Sequence, residues 1–147
     1  MVDVTRIGQY VETLRDYQDR LYSLKPQALE EFLADPVSTD LARQRLQICI
    51  QTCIDIARHV VASKGVIVRD AQEVVQSLNQ LKVIPDDFLP TLRKMVGMRN
   101  ALVHLYMDVD NAKVYEVIQN HLDDFDRFVQ YILEYIERQD QGLEDEQ

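Results

Sequence analysis

A chain of 147 residues that is 46% hydrophobic, with four Gly and four Pro, has the length of one domain and enough apolar material for a sizeable core. Its formal charge of -9 excludes broad, sequence-independent nucleic-acid binding, which depends on Lys and Arg neutralising phosphates; an RNA ligand would need a local positive field, or a partner that supplies or hides one. It contains no apolar run of about 18 residues and no charged-then-apolar leader, so neither a membrane span nor a signal peptide is expected and the protein reads as cytoplasmic.

Along the chain the apolar period is helical. Ile7, Val11, Leu14, Tyr17 and Leu21 form one stripe, which Leu24 and Pro26 bring to an end. A short helix follows from about Pro26 to Ala34. Asp35-Pro36 then reads as an N-cap with Pro at the first helical position. Leu41, Leu46, Ile50, Cys53, Ile54, Ala57 and Val61 continue to Gly65, a C′ glycine; this long helix is apolar on more than one side and is expected to be central. Residues from Asp70 to Leu81 make another, with Val74, Val75, Leu78 and Leu81 inward. Asp86 opens the next, Pro90 falls in its first turn, and it is expected to run to about Tyr106. Asp108-Val109-Asp110 breaks the pattern, and Asp110 or Asn111 caps one last long helix carrying Val114, Val117, Ile118, Phe125, Phe128, Val129, Ile132 and Ile136. With no β-type alternation and no repeat, the expectation is an all-α antiparallel bundle of four to five main helices. It forms a single domain over residues 1–139, followed by an acidic segment, 140–147, expected to be a solvated, frayed tail.

Cys49 and Cys53 lie four apart on an apolar helical stretch and read as reduced, buried thiols. A metal site joining them to His59 would still lack a ligand, so no metal or cofactor is expected. His59 follows Asp55 by four and is expected to pair with it, whereas His121, near Asp123 and Asp124, should be exposed. Asp108 and Asp110 read as capping and turn residues, and Tyr10, Tyr17, Tyr22, Tyr115, Tyr131 and Tyr135 as packing at the edge of the core.

The most informative segment is Arg99-Asn100-Ala101-Leu102-Val103-His104-Leu105-Tyr106. A permanent cation that forks onto phosphate oxygens stands close to the side chain whose proton moves near neutral pH. Together they can cleave a phosphodiester without a metal: neutral His104 takes the 2′-OH proton and Arg99 stabilises charge developing on the phosphorus oxygens, which leaves a 2′,3′-cyclic phosphate. On an ideal helix with Arg99 at zero, Met95, Met98, Leu102, Leu105 and Val109 fall between about 240° and 320°, the expected core arc. Asn100 and His104 lie near 100° and 140°, off that arc, and Tyr106 lies almost above Arg99. The Arg99 and His104 Cα atoms would be roughly 8–9 Å apart, and the i, i+4 spacing lets the Asn100 amide hydrogen-bond the imidazole. Val103, near 40°, is apolar among polar neighbours, which suggests that a second chain covers this face.

The wording RNxxVHxY followed by Asp108-Val109-Asp110 resembles the Rx4-6H signature of HEPN-domain ribonuclease toxins, the HepT type in particular. The resemblance extends to the N-terminal helix, the Cys53–His59 stretch and the Asp123-Asp124-Phe125 turn. It implies that Arg99 and His104 are the ribonuclease residues, with Asn100 supporting them. It further implies that Tyr106 is the acceptor for AMP transferred by a cognate antitoxin, a nucleotidyltransferase of the MNT type. The AMP anion would then fill the cleft and pair with Arg99. The implied assembly is a homodimer in which the two motif helices face each other. The expected partners are thus RNA, the antitoxin and a second copy, with no DNA and no membrane. Two other readings use the same residues: a non-catalytic helical partner subunit of a nucleotidyltransferase, and an accessory domain that holds a nucleotide phosphate without cutting.

Overall fold

The computed structural model describes residues 1–104 and 109–146. Its described residues form seven helices: α1 (Val4–Tyr22), α2 (Leu29–Ala34), α3 (Pro36–Ser63), α4 (Ala71–Gln80), α5 (Leu89–Val103), α6 (Asn111–Asn120) and α7 (Asp123–Glu146). The all-α expectation holds. The sequence reading lays out six helices, four to five of them main ones, and the seventh arises because the last long helix is two. At Asn120–Leu122 the chain leaves the helical path, with His121 at φ -128° and ψ 7°, and it restarts with Asp123, Asp124 and Asp126 in the first turn of α7. Carboxylates there oppose the positive end of the helix dipole. α7 runs on to Glu146.

Helix starts follow the chemistry of their caps. Asp3, Asp35, Asp70 and Asp110 each accept a backbone N–H of the following turn, satisfying donors that the helix itself leaves open. Asp35 also accepts the Ser38 hydroxyl at 2.8 Å, which holds its carboxyl below the ordinary value. Pro90 sits in the first turn of α5 and Gly65 takes φ +73° just past α3, both as the sequence indicates. Lys82 adopts φ +60°, a left-handed conformation that no sequence signal marks. Its carbonyl accepts from Arg138 Nη2 at 3.0 Å.

α3 is the central helix, as expected: α1, α2, α4, α5, α6 and α7 all pack on it. Its Leu46, Cys49, Ile50, Cys53, Ile56, Ala57, Val60 and Val61 are buried on several sides. Both thiols are held in the protonated form by burial, Cys49 pushed up to about 12 and Cys53 well above the usual range. Polar ties fix the outer helices. Gln18, buried on α1, donates to the Leu122 carbonyl at 3.0 Å and to Asp126 at 3.1 Å. Tyr22 donates to Asp123 at 2.7 Å; burial, and then the neighbouring carboxylate, push its phenol up to about 12. His59 does not pair with Asp55. Its Nε2 accepts the Asp3 backbone N–H at 2.9 Å, while Asp55 accepts Gln51, so the histidine clips the start of α1 to the end of α3. No described helix is long and apolar enough to cross a membrane, and among the described residues no three His, Cys, Asp or Glu side chains come together as a metal cage.

Candidate active site

α5 carries the motif, and α3 and α4 decide which way it faces. Its buried residues are Leu92, Val96 and Leu102, at about 20°, 60° and 300° when Arg99 is set at zero. The core arc is therefore centred on the Arg99 stripe and not on 240–320°. α5 lies against both α3 and α4, so its buried face is wider and rotated relative to the arc expected from the sequence. Met95 and Met98, expected in the core, are half-buried instead.

This rotation changes the standing of Arg99. It lies on the inward side of the helix and is half-buried, and its Nε is buried with no hydrogen-bond partner among the described residues. A buried guanidinium nitrogen without an acceptor is a costly arrangement in a folded chain. It leaves one donor of the fork committed to the interior and the terminal nitrogens to reach outward. Asn100 and Val103 are exposed, Val103 at 42%. Val103, the last residue of α5, is exposed although its position near about 40° falls inside the buried arc.

His104 ends the helix. α5 stops at Val103, three residues short of the expected end, and His104 is its C-cap with φ -83° and ψ 96°, an extended conformation. Its backbone N–H donates to the Asn100 carbonyl at 3.3 Å, closing the last turn. The imidazole is exposed and leaves the helix on a backbone that has already turned away, so the 140° helical position does not apply. Asn100 and His104 are joined through the backbone. Tyr106 and Asp108 lie outside the described residues.

The electrostatics of α5 set it apart. It holds Arg93, Lys94 and Arg99 and, alone among the described helices, no carboxylate, whereas α7 holds nine carboxylates against two arginines. Within a chain of net charge -9, the motif helix itself thus carries only cations. A groove of about 310 Å³ flanks α5 on the side of Met95 and Met98, with Lys94 and, from α6, Lys113 on its rim. Sequence reasoning did not find this groove, although the absence of acid from residues 89–103 was there to be read.

Comparison with known proteins agrees with this architecture. Residues 7–132 match the ribonuclease HepT-like family. The chain is 34% identical over 103 residues to the mRNA nuclease HepT of Shewanella oneidensis, covering 69% of this chain and 77% of that one. It is 23% identical over 128 residues to the tRNA nuclease HepT of Aphanizomenon flos-aquae, covering 86% of each. Among solved structures, the tri-AMPylated HEPN toxin of Shewanella oneidensis in complex with its MNT antitoxin superposes with a TM-score of 0.80 at 30% identity, over 90% of this chain and 98% of that one. An all-helical bundle built around a cation-bearing motif helix thus has a family: the chain belongs to the ribonuclease HepT-like family of HEPN toxins.

Proposed function

We propose that this ribonuclease toxin cuts RNA without a metal through Arg99 and His104, and that a nucleotidyltransferase antitoxin of the MNT type restrains it by transferring AMP to Tyr106. The observation that carries the reading is the placement of the two groups. A half-buried guanidinium lies on the one helix free of carboxylates, and an exposed imidazole follows on the residue that ends that helix. Neutral His104 is the base that takes the ribose 2′-OH proton. The 2′-oxygen attacks phosphorus in line, the bond to the 5′-oxygen breaks, that oxygen takes a proton from water, and the products are a 2′,3′-cyclic phosphate and a 5′-hydroxyl. Arg99 stabilises the added negative charge on the non-bridging oxygens through its outward nitrogens. Asn100 supports by closing the last turn beneath His104 through its carbonyl.

Val103 supports a homodimer in which two motif helices face each other, since an exposed valine beside the site gains by being covered. AMP on Tyr106, two residues beyond His104, would bring a bulky anion to the cation of the site and exclude RNA by volume and charge. The solved toxin–antitoxin complex at 30% identity, in which the toxin is tri-AMPylated, supports both the partner and the modification.

The test is incubation of purified protein with total RNA in EDTA, with mapping of the cut ends. Cleavage that leaves cyclic phosphates is expected; cleavage that requires an added divalent ion removes the metal-free mechanism. Mass spectrometry after co-expression with the antitoxin should place AMP on the Tyr106 peptide, and Tyr106→Phe should escape enzymatic neutralisation. Adducts on Tyr115 or Tyr10 instead would assign the control elsewhere.

A further inference from the structure

The geometry points to the groove between α3, α5, α6 and the start of α7 as a subsite for one unpaired nucleotide of the RNA strand, adjacent to the bond that is cut. The assignment rests on the ribonuclease reading and extends it to substrate binding. The groove holds about 310 Å³, room for one base and its sugar and far too little for a duplex. Its floor is Leu46, Ile50 and Phe125, and the half-buried Met95 and Met98 form the α5 wall. Such a lining offers a flat apolar ring shape-adaptable, polarisable contacts.

The rim supplies the phosphate contacts. Lys94 and Lys113 border the groove from two helices, and neither ammonium forms an ion pair or hydrogen bond with a described residue. Glu116 and Asp124 also line it, but both face His121, at 3.9 Å from Nε2 and 3.6 Å from Nδ1, and Asp124 meets Arg127 at 3.5 Å as well. Asp124 is paired with Arg127, and Glu116, 3.9 Å from His121 Nε2, has no permanent cation beside it among the described residues, so two lysines face one uncompensated carboxylate over an apolar floor. That combination fits single-stranded nucleic acid, where phosphates meet Lys and bases meet apolar surface.

The groove lies on the same helix as the candidate site. Met98 precedes Arg99 in the chain, and Met95 lies one turn before it on a stripe about 40° away, roughly 6 Å along the axis. A strand whose scissile phosphate meets the outward nitrogens of Arg99 has its neighbouring nucleotide over Met95 and Met98, with flanking phosphates near Lys94 and Lys113.

The probe is a short single-stranded oligonucleotide with 2′-O-methyl riboses, which binds without being cut. It is titrated into protein carrying labelled methionine methyls and followed by NMR. The Met95 and Met98 methyl resonances should shift while Met1 stays in place. Lys94→Gln and Lys113→Gln should each lower the slope of log affinity against log salt by about 0.7, the share of one phosphate on a single strand. In cleavage assays both should raise KM for RNA at least tenfold more than they lower kcat. Unmoved methyls with unchanged salt slopes overturn the groove assignment and leave cutting by Arg99 and His104 intact. Shifts that follow protein concentration instead of oligonucleotide give the groove to a second copy and overturn it too. Methyl shifts with both slopes lowered, in a protein that cuts no RNA, keep the subsite and remove the nuclease reading instead.

Discussion

Arg99 and His104 differ in what holds them, and their substitutions should differ accordingly. His104 is exposed and caps a helix through its backbone, so His104→Ala should leave the melting transition within about 0.5 kcal/mol of wild type. The same change should lower cleavage by about 100-fold or more, the usual worth of a positioned proton acceptor. Arg99 is half-buried, with an unpartnered Nε in the interior. Arg99→Ala removes a costly donor along with the packing of the aliphatic stem, and these changes oppose one another. Arg99→Lys keeps the charge and loses the fork, so it should cut at least tenfold more slowly than wild type. Parallel melting curves and cleavage rates on one RNA check all three variants. Wild-type cleavage by both Ala variants would remove the assignment of these residues, and a loss of several kcal/mol for His104→Ala would show the imidazole to be structural.

The residue-level reading put Arg99 off the core arc, whereas it lies on the inward side of α5. A helical wheel weighs apolar residues of one helix and cannot know that α5 is covered by two neighbours, α3 and α4, whose combined contact rotates the buried face. The pairing expected for His59 failed for a similar reason: Asp55 is its neighbour on the helix, whereas the backbone N–H of Asp3 that it accepts is 56 positions away.

At the scale of elements, the starts of helices were the most legible feature. Asp35-Pro36, Asp70 and Asp110 are caps in the chain and caps in the structure, because an Asx cap is a local event. Two helix ends were not legible. The break at Asn120–Leu122 and the stop at Val103 are fixed by where the next element must pack, and neither carries a breaker residue. The same break positions the link between α1 and α7, where Tyr22 donates to Asp123. The Tyr22 phenol has its value raised from 10.0 to about 12 in the folded chain. A group with a raised folded value contributes its stability in full below pH about 10 and loses it as pH rises through 12. Alkaline unfolding should therefore set in earlier for wild type than its remaining ionisations dictate. Tyr22→Phe, less stable at neutral pH by about 1 kcal/mol for the lost hydrogen bond, should show a flatter decline between pH 10 and 12. Equilibrium unfolding in urea at pH 8 and pH 11 measures both quantities, and equal slopes for the two proteins would remove the role of the phenol.

For the molecule as a whole, charge is the organising quantity. The sequence shows an acidic protein, and its mean value conceals a motif helix with cations alone and a last helix dominated by carboxylates. Dimerisation belongs to the same scale. Val103, 42% exposed beside the site, is expected at the subunit contact, and Val103→Glu sets two like charges against each other across it. Light scattering should find a dimer for wild type at micromolar concentration and dissociation for the variant, with cleavage falling in step. A monomeric wild type that cuts RNA at full rate would show that one α5 is sufficient.

The two thiols of the central helix give the fold a property unrelated to its chemistry. Cys49 and Cys53 are 0% and 1% exposed, and burial keeps both protonated, so neither can act as a nucleophile while the bundle is closed. An alkylating reagent added to the native protein has to wait until α3 is uncovered. Since every other helix packs on α3, the opening that admits the reagent is close to global unfolding. The rate of alkylation therefore times how often the whole molecule comes apart, and the toxin carries its own clock of folding at the centre of its core.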